Sequence, residues 1–162
     1  MRVNHSFGPF YNEDSEILIL GSFPSVISRK NSFFYMNNTN RFWALLGIIF
    51  NDDFINTDIN VKKDLLTKHK IALYDVVEEC DIIGSSDSSI KNVKPIDLND
   101  ILSKTKIKRI YINGGVAYKY FEKYFKEYLD ITVKLPSTSA ANARMRIDDL
   151  LKEWIVIKNN AL

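Results

Sequence analysis

Four short apolar runs, each closed by glycine, proline or a polar turn, restrict what this 162-residue chain can fold into. The clearest begins after Glu16, where Ile17, Leu18, Ile19 and Leu20 run unbroken into Gly21, Ser22, Phe23, Pro24 and Ser25. Side chains alternate across a strand, so a run that is apolar at successive positions must be covered on both faces. Ile71 to Val77, Arg109 to Asn113 before Gly114 and Gly115, and Ile131 to Leu135 before Pro136 have the same character. Four central strands of a covered parallel sheet are therefore expected.

Segments with helical spacing separate these runs. Phe42, Trp43, Leu45, Leu46, Ile49 and Phe50 form one, and Ile59 to His69 a second. Leu98, Ile101 and Leu102 form a short third, and Val116 to Leu129 a tyrosine-rich fourth. The last helix is expected to start near Ser139, a suitable N-cap, and to run through Ile147, Leu150, Leu151 and Trp154. Strands alternating with helices imply an α/β fold, a three-layer α/β/α sandwich around a four-stranded parallel sheet. Residues 1–162 show no repeat, low-complexity tract or dividing linker, and their length and 46% hydrophobic content suit one domain.

Charge and composition narrow the function. With 22 Lys plus Arg against 20 Asp plus Glu, the net charge of +2 argues against a generic polyanion coat. A nucleic-acid partner has to be gripped locally, and Arg29, Lys30, Arg41, Arg144 and Arg146 can supply such a cluster. Cys80 is the sole cysteine, which forbids an internal disulfide and a four-thiolate metal site, and it reads as a small buried residue. His5 and His69 are too few and too far apart to suggest a metal centre, and His5 reads as surface or N-terminal packing. With no signal-peptide pattern and no apolar run near the ~18 residues of a membrane span, a soluble cytoplasmic protein is expected.

In open α/β sheets ligands bind beyond the carboxyl ends of the strands, where loops meet helix N-termini. Gly21-Ser22-Phe23-Pro24-Ser25, Tyr74-Asp75, Asn113-Gly114-Gly115 and Pro136-Ser137-Thr138-Ser139 lie there. The first could be only a tight strand exit, or a turn whose small residues let backbone N–H groups approach an anion. It lacks a P-loop lysine and the spacing of a dinucleotide fingerprint. In Ser32 to Trp43, Phe42 and Trp43 read as core, whereas Phe34 and Tyr35 fall in a loop, where flat side chains suit stacking on a base. Asn40 could simply cap the helix that follows.

Ile17 to Ser28, Phe33 to Trp43, Ile71 to Pro95 and Leu135 to Arg144 together resemble the uracil-DNA glycosylase superfamily. The closer resemblance is to its hypoxanthine-DNA (deoxyinosine) glycosylase branch. It implies a monofunctional glycosylase that removes a deaminated base from DNA, with no metal or cofactor and no need for more than a monomer. Members of the superfamily often carry a catalytic Asp or Asn where this chain has Phe23. In the hypoxanthine branch that role resembles one played by the residue matching Asn40, which would position a water through its side-chain carbonyl oxygen. Relatives commonly have His-Pro where Asn37-Asn38 stand and Pro at Ala140, departures that bear on the rigidity of the Asn40 loop.

Base flipping into such a pocket gives each loop an expected role. Backbone N–H groups at Gly21, Ser22 and Phe23 would meet charge on the departing base, Tyr35 and Phe34 would pack on its face, and Asn113 would leave it room. Hypoxanthine presents an N1–H donor where adenine presents an acceptor, so a carboxylate at Asp75 would accept from the first and repel the second. It could equally accept N3–H of uracil, or serve only as a turn carboxylate. Pro24, Ser25, Ser86, Ser88, Ser137, Thr138 and Ser139 are expected along the DNA phosphates, and Lys104 to Arg109 on a solvated face. The competing readings are a mismatch-specific uracil glycosylase and a catalytically silent nucleic-acid-binding relative.

Overall fold

A computed structural model describes residues 1–159. Strand β1 (Arg2–Asn4) is followed by β2 (Ile17–Gly21), α1 (Val26–Asn31), α2 (Phe42–Phe50), α3 (Ile59–Lys68), β3 (Ile71–Asp75) and β4 (Val77–Asp81). Next come β5 (Lys91–Pro95), α4 (Leu98–Ser103), β6 (Arg109–Asn113), α5 (Gly115–Tyr124), β7 (Thr132–Leu135), α6 (Ile147–Trp154) and α7 (Val156–Asn159).

The four expected strands form one parallel sheet in the order β3-β2-β6-β7. Leu18, Ile19 and Leu20 of β2 are each 0% exposed although neighbours point to opposite faces, so both faces are covered. Each such side chain contributes roughly 1.5–3 kcal/mol by leaving water. The register aligns Gly21 with Asp75, and Leu20 with Ile112, one residue before Asn113. Three expected site residues thus end their strands at one level.

Several boundaries differ from the sequence reading. The run Ile71 to Val77 is not one strand: β3 ends at Asp75, and Val76 and Val77 donate to the carbonyls of Gly21 (2.8 Å) and Ser22 (3.1 Å). From there β4 joins β1 and β5 in a second, antiparallel sheet that the apolar pattern does not reveal. Its underside holds Phe23, Val77, Cys80, Ile82 and Ile90 in a separate small core, with Cys80 fully buried as expected.

The tyrosine-rich helix stops at Tyr124, because Phe125 leaves helical geometry (φ −132°) to pack on Phe121, and a 3₁₀ segment Lys126–Ile131 turns the chain into β7. The last helix begins at Ile147 and not near Ser139. The Asp149 carboxylate accepts from the Arg146 N–H there (2.9 Å), whereas Ser139 Oγ closes a local turn with Ala141 N–H (3.1 Å). Helix α1 was not expected, and Ser25 caps it by accepting from Ser28 N–H (3.1 Å). The Lys104 to Arg109 stretch is a solvated, ion-paired face, with Lys104 on Asp100, Lys106 on Asp14 and Lys108 on Glu16.

Candidate active site

The carboxyl ends of β2, β3 and β6 open into a pocket of about 540 Å³. Asn40, Gly21, Ser22, Phe23, Phe34, Tyr35, Asp75, Asn113, Pro24, Ser25, Ser86, Ser88, Ser137, Thr138 and Ser139 all line it. The expected base-contacting and loop hydroxyl residues therefore reach one cavity, although not all are free to act there, whereas Arg29, Lys30, Arg41, Arg144 and Arg146 are not part of its lining.

Asp75, 4% exposed, is held by His5, for which the sequence suggests only a surface or N-terminal packing place. His5 Nε2 lies 2.8 Å from Asp75 Oδ2, and the His5 side chain is 0% exposed. Gly8 N–H donates to His5 Nδ1 (3.3 Å), so Nδ1 is the acceptor and Nε2–H donates to the carboxylate. The other oxygen, Oδ1, faces Gly21: a Cβ built there would stand 2.5 Å from Oδ1 and 3.0 Å from Tyr35 Oη. Glycine is thus required for the carboxylate and the phenol to approach the strand exit.

Phe34 and Tyr35 form a stiff aromatic wall. Phe34 is 2% exposed and packs edge-on against Phe7 (4.9 Å between centroids) and Phe33 (5.5 Å). Tyr35 sits at φ +55° and lays one ring face on Phe42 at 4.0 Å. Burial first, and then the charge of Asp75, push its phenol pKa upward, so it stays protonated and can donate. The Phe23 ring is committed to the second core beneath the Arg29 guanidinium, 5.6 Å from its centroid.

A hydrogen-bond chain links the walls. Asn113 Nδ2 donates to Tyr35 Oη (3.2 Å) and to Thr138 Oγ1 (3.0 Å), while Asn113 Oδ1 accepts from Thr138 N–H (3.0 Å). Thr138 Oγ1 in turn donates a hydrogen bond to Asn40 Oδ1 (2.8 Å), which also accepts from Phe42 N–H (2.9 Å). Both lone pairs of that carbonyl oxygen are occupied, and the backbone donor excludes the flipped amide. The expectation that Asn40 offers a free carbonyl oxygen to a water is corrected: Nδ2 is the group left for the pocket among the described residues.

The Asn40 loop is braced without the His-Pro of relatives. Asn37 Oδ1 accepts from Thr39 N–H (3.0 Å) and Thr39 Oγ1 (2.8 Å), and Asn40 N–H donates to Asn37 O (2.9 Å). Arg41 then ties this loop to the opposite wall, donating from Nε to Thr138 O (3.2 Å), from Nη2 to Ser139 O (2.6 Å) and Asn142 O (3.2 Å), and from Nη1 to Met145 O.

The phosphate-binding expectations are corrected in part. Thr138 is 0% exposed and its hydrogen-bonding groups are used internally. Pro24 is buried, has no N–H, and gives its carbonyl to Arg29 (2.6 Å). Ser25 Oγ is spent on capping α1 and on Ser28 Oγ (3.1 Å), while Ser137 Oγ accepts from Ser139 N–H (3.1 Å). Arg41, and Arg29 between the carbonyls of Pro24 and Gly84, are structural cations. Lys30, Arg144, Arg146, Ser86 and Ser88 remain exposed.

Asp87, which the sequence places in the same loop as Ser86 and Ser88 without a role of its own, also lines the pocket. The residue as a whole is exposed, yet loss of hydration around its carboxyl raises that group's pKa, the Ser22 hydroxyl opposes the shift, and the nearby Asp75 charge adds to it. Neither His5 nor Asp87 carries a local motif, since each acquires its setting only through remote contacts.

The class of protein follows from the fold. The chain superposes with a TM-score of 0.84 and 29% identity, over 99% of both chains, on a solution NMR structure of a candidate uracil DNA glycosylase from Methanosarcina acetivorans. The architecture is that of the uracil-DNA glycosylase superfamily. The chain is 33% identical over 140 residues to a hypoxanthine DNA glycosylase of Methanosarcina barkeri, covering 85% of this chain and 87% of that protein. It is 32% identical over 143 residues to one of Methanosarcina acetivorans, covering 88% and 90%. No family model matches. The chain belongs to the hypoxanthine DNA glycosylase family.

Proposed function

We propose that the protein is a monofunctional DNA glycosylase that flips a deaminated base, preferentially hypoxanthine, into this pocket and hydrolyses its N-glycosidic bond. The observation that carries the reading is the buried Asp75 carboxylate, with Oδ2 held by His5 and Oδ1 beside the strand exit. That arrangement supplies a fixed acceptor for the N1–H of hypoxanthine and opposes the N1 lone pair of adenine. Phe34 and Tyr35 bound the base, and the Tyr35 hydroxyl adds a donor.

Cleavage of the C1′–N9 bond leaves positive charge on the sugar and negative charge on the base, the charge pattern of glycoside hydrolysis. Backbone N–H groups of the Ser22–Phe23 turn meet the developing anion. Asn40 Nδ2 donates to the oxygen of a water and holds it for attack on C1′. Placement without deprotonation suffices when the carbon is already cationic. As the new C1′–O bond forms, the water gives up a proton, which neutralises the departed base. Lys30, Arg144, Arg146, Ser86 and Ser88 are exposed and free to meet phosphates, and so small a set of cations predicts weak, strongly salt-dependent binding to undamaged DNA.

The test is incubation with labelled DNA containing deoxyinosine, deoxyuridine or normal bases, followed by alkali to break abasic sites. Cleavage at deoxyinosine is expected, and Asn40→Ala should lower turnover far more than binding. Preferential cleavage at deoxyuridine would make the protein a uracil glycosylase instead. Binding without abasic sites would leave a silent DNA-binding relative.

A further inference from the structure

We propose that Asp87 is the general acid of the excision, giving its carboxyl proton to N7 of the extruded purine as the glycosidic bond breaks. The inference rests on the glycosylase reading above and deepens it. A purine leaves a sugar more readily as a neutral molecule than as an anion. N7 is the more basic of the two hypoxanthine ring nitrogens that carry neither hydrogen nor sugar. A group that supplies this proton must stand in the pocket, be held there, and lack a cation that would keep it ionised.

The loop that carries Asp87 meets the first two requirements. Asp87 lines the cavity between Ser86 and Ser88. Ile82 and Ile90, 3% and 5% exposed, sink both ends of the loop into the second core. Ser85 Oγ accepts from Val26 N–H (2.9 Å), Ser89 Oγ donates to Ser86 O (2.6 Å), and Asp87 O accepts from Ile90 N–H (3.2 Å). The carboxyl is thus presented to the strand exit by a braced turn.

Its surroundings favour the acid form. The Ser22 hydroxyl stands beside it, and the titratable groups that feel its charge are Asp75 of β3, the Tyr35 phenol and Cys80 of β4. Among the described residues no cation offsets that charge, and Arg29 of α1 gives its guanidinium to the carbonyls of Pro24 and Gly84. A base seated in the pocket excludes further water, which disfavours the carboxylate again. Asp75 differs in its partner, since His5 Nε2–H donates to it, whereas Asp87 has a neutral hydroxyl. Two carboxyl groups with unlike surroundings in one pocket take unlike roles: Asp75 accepts N1–H and Asp87 gives a proton.

The step balances. The Asp87 O–H bond breaks as its proton passes to N7, and the C1′–N9 bond breaks with its electron pair going to the base, which departs neutral. Water adds to C1′, and the proton it sheds restores the Asp87 acid. One water is consumed for each base released.

The experiment measures single-turnover cleavage of deoxyinosine DNA, and binding to it, between about pH 5 and pH 8 for the unmodified protein and Asp87→Asn. The unmodified rate should fall as pH rises, by up to about tenfold per unit, because only the acid form donates. Asp87→Asn should be about a hundredfold slower at the acid end, show no such fall, and bind within about twofold. DNA carrying 7-deazadeoxyinosine, with C–H in place of N7, should be bound but cleaved by the unmodified protein at least about a hundredfold more slowly. An unchanged rate in Asp87→Asn, a loss that binding accounts for, the same pH dependence in both proteins, or full-rate cleavage of the analogue would overturn the assignment. Absence of deoxyinosine cleavage by the unmodified protein at every pH would bring down the glycosylase reading itself, and the acid with it.

Discussion

Gly21 and Asp75, paired across β2 and β3, approach so closely that a Cβ on Gly21 would stand 2.5 Å from the Asp75 carboxylate. The carboxylate cannot retreat freely, since His5 holds its other oxygen at 2.8 Å. Gly21→Ala should therefore displace Asp75 and Tyr35, cost about 1–3 kcal/mol of stability as overpacking does, and suppress deoxyinosine cleavage. Thermal unfolding and the alkali assay read the two effects. An alanine variant with full activity would show that the carboxylate is not held at the strand exit.

Asp75→Asn tests base choice directly. The amide can turn a donor toward the pocket, so acceptance of N1–H weakens and opposition to adenine is relieved. The ratio of deoxyinosine to deoxyadenosine cleavage should fall by about tenfold or more, the scale of one hydrogen bond to a charged group. An unchanged ratio would remove Asp75 from recognition.

Thr138 is predicted to act through Asn40. Its hydroxyl is one of two donors on Asn40 Oδ1 and is itself held by Asn113. Thr138→Val keeps the shape and removes the relay, so kcat should fall about tenfold with KM within about twofold, and Thr138→Ser should restore it. Stability should drop by about 1–3 kcal/mol from the buried groups left unpaired. Equal kcat in the valine variant would show that Asn40 needs only its backbone donor.

Asp87 makes a pH-dependent prediction. Its folded-state pKa is raised, chiefly by desolvation, so the folded chain holds this proton more tightly than the unfolded chain. Its contribution to stability is fully present below the unfolded carboxylate range, near pH 4, and is lost as pH rises through the folded value. Asp87→Asn is neutral throughout, so its melting temperature should gain on the unmodified protein between about pH 3 and pH 7. A difference that stays constant over that range would show that the carboxyl remains hydrated.

Local pattern was enough for the four buried strands, because a short apolar run between turn residues has few other ways to be covered. It was also enough to bring the expected site residues to one cavity, since loops at the carboxyl ends of parallel strands converge whatever else the chain does. The small antiparallel sheet leaves no such local pattern, because its strands are half-exposed and pair remote segments, as Val3 does with Cys80.

Residue types in this sequence determined the layered α/β frame, the position of the pocket and the chemistry its loops can offer. Tertiary structure alone decided which of those groups are free: it joined His5 to Asp75 across 70 positions and spent Thr138 on Asn40 and Arg41 on carbonyls about a hundred residues away. A hydrogen bond depends on where the partner is placed in space, and sequence periodicity says which face a side chain occupies but not what stands opposite it.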